Sequence, residues 1–317
     1  RLFLFQIEIF PFRNHKSTLF SYNFTTSSEN LKVMRIGILT SGGDCPGINA
    51  TIRGVCKTAI SHYGMEVYGI RSGFRGLLDN DIIPLDENSL TGLLSMGGTI
   101  LGTSREKPFK NRANVPVSED KPAMMLKTIR ERKLDCVVCI GGNGTQKTAA
   151  KLAATGVNVV TVPKTIDNDV WGTDISFGFD SAVSIATEAI DRLHSTASAH
   201  QRVMVIEVMG HKAGWIALYS GMAGGGDIIL LPEIPFDIHR IGDTIISRLK
   251  KGKPYSIVVV AEGIPTLGGK KAAQYIAEEI EYETGFETRE TVLGYIQRGG
   301  GPTAFDRNLA TRMGGHA

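Results

Sequence analysis

The stretch Met34-Arg35-Ile36-Gly37-Ile38-Leu39-Thr40-Ser41-Gly42-Gly43-Asp44-Cys45-Pro46-Gly47 decides the fold class. A short apolar run breaks off at a glycine-rich turn, and a helical pattern over 48–63 follows at once. An apolar run of this length fits a strand buried on both faces, which belongs in a parallel sheet covered by helices. The pattern recurs downstream. Runs at 66–70, 135–140, 157–162, 203–208, 227–231 and 256–261 read as strands. Helical stretches at 118–132, 145–155, 180–197, 212–223, 238–251 and 270–284 alternate with them. Parallel α/β is the expectation, with the chain dividing most clearly just after residue 177.

Composition narrows the class further. The 317 residues are 42% hydrophobic and 21% charged, the profile of a globular protein large enough for two domains, and the net charge of +3 is spread without a basic stripe or acidic tail. Neither nucleic acid nor membrane is an expected partner, since no apolar run approaches the roughly 20 residues that span a bilayer. Four cysteines, at 45, 56, 136 and 139, are too few and irregular for a disulfide scaffold, so a reducing cytoplasm is expected. Cys136 and Cys139 spell C-x-x-C, but they lie inside an apolar strand on opposite faces and read as core. Residues 1–33 read as a disordered or non-native leader. They lack the basic start, long apolar stretch and small-residue cleavage site of a targeting peptide.

Chemistry gathers where strands end. Thr40 to Gly47 and Gly141-Gly142-Asn143-Gly144-Thr145 are glycine-rich turns between strand and helix. In such turns the backbone approaches an anion closely and the helix N–H groups face it. Neither turn has the Walker A or dinucleotide spacing. Pro163-Lys164-Thr165-Ile166-Asp167-Asn168-Asp169 puts two carboxylates and a hydroxyl directly after a strand. Phosphoryl transfer needs one group to take the attacking hydroxyl's proton and another anionic group to hold Mg2+ or position a reactant. Val205 to Gly214 and Val260-Ala261-Glu262-Gly263 are further strand ends of this kind. Arg202, Arg289 and Arg298 can anchor a phosphate through their planar forks.

This assortment, in this order, resembles the phosphofructokinase family across nearly all of residues 34–317. The resemblance rests on Gly42-Gly43-Asp44 with Pro46-Gly47, the Gly-Gly-x-Gly-Thr turn, Thr165 to Asp169, Ala189-Ile190-Asp191-Arg192, His200-Gln201-Arg202, Met209-Gly210, and Leu293-Gly294-x-Ile296-Gln297-Arg298-Gly299-Gly300. It implies two doubly wound, Rossmann-like α/β domains with mainly parallel sheets. Residues 34–177 with 296–317 would hold the phosphoryl donor, and 178–295 fructose 6-phosphate. The implied reaction moves a phosphoryl group from ATP, with Mg2+, to the sugar 1-hydroxyl. Asp167 would be the base, flanked by Thr165 and Asp169. Gly43, Arg105, Gly142, Asn143, Gly144, Thr145 and Lys164 would serve the donor. Met209, Gly210, His211, Glu262, Tyr295 and Arg298 would serve the sugar phosphate, beside Thr165 and Asp167. Arg202 and Arg289 match positions that reach a neighbour's site in a homotetramer.

Several positions depart from the family pattern. Asn143 stands where the family supplies a carboxylate to Mg2+, leaving a neutral oxygen as the candidate metal ligand. His211 stands where an arginine is frequent, with Lys212 beside it. Gly144 leaves room for a nucleotide where pyrophosphate users carry Asp, whereas Lys164 is shared with them, so ATP is the expected donor and pyrophosphate the alternative. A non-catalytic sugar-phosphate or nucleotide-binding subunit is a further alternative, against which Asp167 and Asp169 argue. The family pattern continues beyond Ala317, so the last helix, 305–317, is expected to leave Leu309 and Met313 seeking partners.

Overall fold

Alternation along the first strand explains why the sheet is covered on both faces. In β1 (Arg35–Ser41), Ile38 enters one apolar cluster and Leu39 another. β4 (Cys136–Gly141) repeats this, with Val138 and Ile140 on the first side and Val137 and Cys139 on the second. Burying each such side chain is worth about 1.5–3 kcal/mol. Helices on both faces are the consequence. The computed structural model describes residues 33–109 and 120–317. The leader expectation over residues 1–32, and the first two residues of the helix expected at 118–132, fall outside them.

β1 leads into α1 (Ile48–Tyr63), β2 (Glu66–Ile70), α2 (Phe74–Asp79) and β3 (Ile82–Leu85). α3 (Lys121–Glu131), β4, α4 (Asn143–Ala153) and β5 (Val159–Pro163) complete the first sheet, ordered β3-β2-β1-β4-β5 and parallel except at β3. α5 (Phe179–His200) leads to the second sheet. There β6 (Val203–Val208), α6 (Trp215–Ala223), β7 (Ile228–Leu230), α7 (Ile238–Lys250), β8 (Ser256–Ala261), α8 (Ala272–Thr284) and β9 (Thr288–Val292) give the parallel order β7-β8-β6-β9. One apolar cluster runs from Ile38 through Phe177 and Phe179 to Val205 and Val259, joining the two sheets.

Every strand read from the sequence is present, and two more appear. β3 carries Pro84 and pairs antiparallel at an edge, where proline is tolerated. β9, Thr-Arg-Glu-Thr-Val, is an edge strand whose polar side chains mask its period. The expectation for Leu309 and Met313 is overturned. α9 (Ala304–His316) lies along α1, and both side chains pack against the main cluster with Ala310 fully buried between them.

Candidate functional site

β1 and β4 are neighbours in register, Ser41 beside Gly141. The turn after Ser41 and the turn opening α4 therefore lie side by side. The strand order also reverses between β1 and β4, and such a reversal opens a crevice beyond the strand ends. α4 begins at Asn143, earlier than the sequence suggested, so its N-terminal amides and dipole face that crevice. Thr145 Oγ1 donates to the Ser41 carbonyl at 3.2 Å and pins one turn to the other. Gly42 N–H donates to the Ser104 carbonyl at 3.0 Å, and Thr103 Oγ1 to the Gly42 carbonyl at 2.6 Å. These bonds bring the loop carrying exposed Arg105 to the first turn.

The Thr165–Asp169 run follows β5. Asn168 adopts φ 50°, a left-handed conformation asparagine tolerates, and its Oδ1 accepts the Ser176 N–H at 2.9 Å. Ser176 Oγ donates to the Thr165 carbonyl at 2.8 Å, and Asp167 N–H donates to Thr165 Oγ1 at 3.0 Å. The loop is thus fixed around Asp167, whose Oδ1 is buried without a hydrogen-bond partner. Burial pushes the Asp167 carboxyl above the usual carboxylate range. Arg298 pulls it back, Asp169 and Glu262 push it up, and His211 lowers it. Asn143 Nδ2 donates to both the backbone oxygen and the carboxylate of Asp169, at 3.2 Å each.

From the second sheet, the ends of β6 and β8 deliver Met209 to His211 and Glu262. Glu262 Oε1 accepts the N–H groups of Gly210 at 3.2 Å and His211 at 2.7 Å, which fixes the turn. Only glycine fits at 210, where φ is 148° and a Cβ would lie 2.3 Å from the Ala213 carbonyl. Gln297 is fully buried and accepts the Met209 N–H at 3.3 Å. Next to it, Arg298 Nη1 donates to the Asp44 carbonyl at 3.1 Å, while its Nε is buried and unpartnered. The guanidinium lies against Gly43, where a Cβ would come within 2.8 Å of Nη1. Lys164, 3% exposed, donates its ammonium to the Gly43 carbonyl, and burial lowers its pKa.

Gly43, Gly142 to Thr145, Lys164, Thr165, Asp167, Asp169, Met209, Gly210, His211 and Glu262 thus follow strand ends around one crevice, and Arg298 joins them from the short 3-10 helix Gly294–Arg298. Tyr295, three residues before Arg298, is 74% exposed. Arg202 and Arg289 lie elsewhere. Both bond Glu287, at 2.6 and 2.5 Å, at the start of β6 and β9. Six residues of β6, roughly 20 Å at about 3.3 Å per residue, separate Arg202 from Met209.

Sequence reading passed over Asn168, Ser176 and Gln297 as supports, and Glu287 as the partner of two arginines. Asn168 and Gln297 stood inside the quoted motifs. Ser176 and Glu287 stood outside the quoted motifs: Ser176 bonds residues 8 and 11 positions back, and Glu287 joins Arg202, 85 positions away, to Arg289 two positions on.

Buried, unpartnered carboxylate and guanidinium atoms beside two glycine-rich turns define the class: a doubly wound α/β enzyme that handles phosphate. The family model described as "Phosphofructokinase" matches residues 35–317, and the chain belongs to that family. It is 80% identical over 284 residues to "ATP-dependent 6-phosphofructokinase 3" of Bacteroides thetaiotaomicron, covering 90% of this chain and 84% of the relative. It is 55% identical to "ATP-dependent 6-phosphofructokinase" of Spirochaeta thermophila, over 88% of this chain and 81% of the relative. Among solved structures, Pichia pastoris phosphofructokinase in the T-state matches with TM-score 0.79 and 34% identity, over 92% of this chain and 33% of that one. The pyrophosphate-dependent phosphofructokinase of Marinobacter aquaeolei matches with TM-score 0.77 and 26% identity, over 90% of this chain and 75% of that one.

Proposed function

We propose that Asp167 is the general base in the ATP-dependent phosphorylation of fructose 6-phosphate at its 1-hydroxyl, the first-sheet turns holding the donor and the second-sheet turns the sugar. One observation carries this reading. The buried Asp167 carboxylate has an unpartnered oxygen inside the field of Arg298, whose Nε is also unpartnered. Proton acceptance needs the ionised form, and Arg298 and His211 favour that form against burial. Ionised Asp167 takes the 1-hydroxyl proton as the oxygen attacks the terminal phosphorus. The amides of Gly43, Gly142 and Gly144, with Arg105 and Thr145, position the donor's phosphates. Met209, Gly210, Glu262 and Arg298 orient the sugar phosphate, with His211 beside the transferring group.

The residues also fit Mg2+. Asp169 keeps one carboxylate oxygen and Asn143 its amide oxygen outside their mutual bonds. Among the described residues no cluster of three or more acidic, histidine or cysteine side chains forms a cage. One carboxylate and a neutral oxygen suit an ion held jointly by protein and substrate phosphates. When bound, it supplies neutralisation of the phosphate charge.

ATP is favoured as donor because Gly144 faces open space, with nothing within 4 Å of an added Cβ. Assembly as a homotetramer in the cytoplasm belongs to the same reading, in which Arg202 and Arg289, a strand's length from their own Met209, serve a neighbour's site. Among the described residues no helix is long and apolar enough to cross a membrane. Purified protein assayed with fructose 6-phosphate and either ATP or pyrophosphate tests the proposal. Turnover with ATP is the expected result, and turnover with pyrophosphate alone would reverse the donor assignment.

A further inference from the structure

The N-terminal ends of helices α5 and α9 are bonded to each other, and α9 supplies the cap of α5. Asp306, in the first turn of α9 and fully buried, accepts through Oδ2 from the Ser181 N–H at 2.8 Å and the Ser181 hydroxyl at 2.6 Å. Gly178, which opens α5, has no side chain to do this, so a carboxylate from another helix supplies the cap. In return Ser181 Oγ accepts the Thr303 N–H at 3.0 Å, and Asp180 Oδ2 accepts the Thr303 hydroxyl at 2.6 Å. Thr303 Oγ1 also accepts the Asp306 N–H at 3.3 Å.

Both halves of this cluster adjoin the reacting groups. On the α5 side, the chain running back from Ser181 reaches Ser176, which holds Thr165 and Asn168 around Asp167. On the α9 side, Gly299-Gly300-Gly301-Pro302 is all that separates Arg298 from Thr303. Arg298 is held from its own side by Gln297 and Asp44, and across the poorly constrained glycines the next side-chain anchor is Thr303. Asp306 is also an expensive cap, because it buries a carboxylate. Its Oδ1 is buried without a partner, and burial pushes its carboxyl above the usual range.

We propose that Asp306 is a positioning residue, which by capping α5 from α9 fixes the Arg298 segment against the Asp167 loop. The proposal rests on the reading of Asp167 and Arg298 as base and cation of the site. A kinetic double-mutant cycle on the full chain tests it, with Asp306→Asn, Arg298→Ala and the pair, each shown by circular dichroism to be folded at the assay temperature. Asp306→Asn is expected to lower kcat/KM for fructose 6-phosphate about tenfold, within the ~100-fold that a 1 Å misplacement costs. In the Arg298→Ala background the same change is expected to cost less than about twofold, because the group it positions is gone. Equal losses in both backgrounds would overturn the positioning role and leave a stabilising one. An Arg298→Ala variant with wild-type kinetics would instead overturn the reading of Arg298 itself, and the proposal with it. Should Asp306→Asn not fold, Ser181→Ala, which deletes only the hydroxyl, carries the same cycle with the same outcomes.

Discussion

The side-chain amide of Asn143 donates two 3.2 Å hydrogen bonds to Asp169, one to its backbone oxygen and one to its carboxylate. The first turn of α4 is thereby tied to the end of the loop that carries Asp167. A carboxylate at 143 loses both donors and faces Asp169 with like charge. A hydrogen bond to a charged group, such as the Asp169 carboxylate, contributes about 1.5–3 kcal/mol, and one to a backbone carbonyl about 0.5–1.5 kcal/mol. Asn143→Asp is therefore expected to melt several degrees lower than wild type in chelator. Added Mg2+ can bridge the two carboxylates, so it is expected to raise the variant's melting temperature more than the wild type's. Thermal unfolding with and without Mg2+ checks this, and an equal Mg2+ response in the two proteins would remove 143 and 169 from the metal site.

Asp167→Asn separates catalysis from stability. The amide cannot take the 1-hydroxyl proton, so kcat is expected to fall by several orders of magnitude with little change in sugar affinity. Burial raises the folded-state pKa of Asp167. Ionising it therefore costs stability as pH rises through that raised value, and the cost is absent below the ordinary carboxylate pKa of about 3.9. The variant is expected to melt above wild type at neutral pH, with the gap closing as pH falls. In wild type the acid limb of kcat should lie above the ordinary carboxylate range. A variant within tenfold of wild-type turnover would remove Asp167 as the base.

The strands were legible because buried parallel strands carry their own signal, as Ile36 to Leu39 and Val203 to Val208 do. β9 was not, since Arg289 and Glu290 on an edge strand resemble a loop. The site was legible wherever its residues cluster in sequence, as from Thr165 to Asp169. Supports across the fold were hidden: nothing near Ser181 announces Asp306, 125 positions away. Lys164 shows the same limit. Its place in the motif says nothing of the bond its ammonium makes to the Gly43 carbonyl, a contact set by the tertiary fold.

Donor choice is testable at Gly144 because the protein itself tolerates a side chain there, with open space around the position a Cβ would take. Any kinetic effect of Gly144→Asp then falls on the ligand rather than on packing. The added carboxylate occupies the nucleotide's expected path and repels its phosphates. ATP turnover is expected to drop at least about tenfold relative to pyrophosphate turnover, a differential of ~1.4 kcal/mol. Parallel loss with both donors would show that the position shapes the turn rather than selects the donor.

Arg202 and Arg289 pose the last test. Glu287 holds both at the far end of β6 from Met209, so in the proposed assembly they complete a neighbour's sugar-phosphate site. Arg202→Ala should then raise the KM for fructose 6-phosphate strongly, since a phosphate loses a charged fork. Asp167→Asn should abolish turnover by a different route. Mixing the two defective proteins, with subunits exchanged by unfolding and refolding, places an intact Asp167 opposite an intact Arg202 at some interfaces. Random pairing makes half of the pairs mixed and repairs one of two sites in each, so activity at low sugar concentration should recover to roughly a quarter of wild type for a two-fold interface. If Arg202 acts within its own chain, every site carries one of the two defects and mixing restores nothing. Sizing of each variant before and after exchange separates that outcome from a failure to assemble.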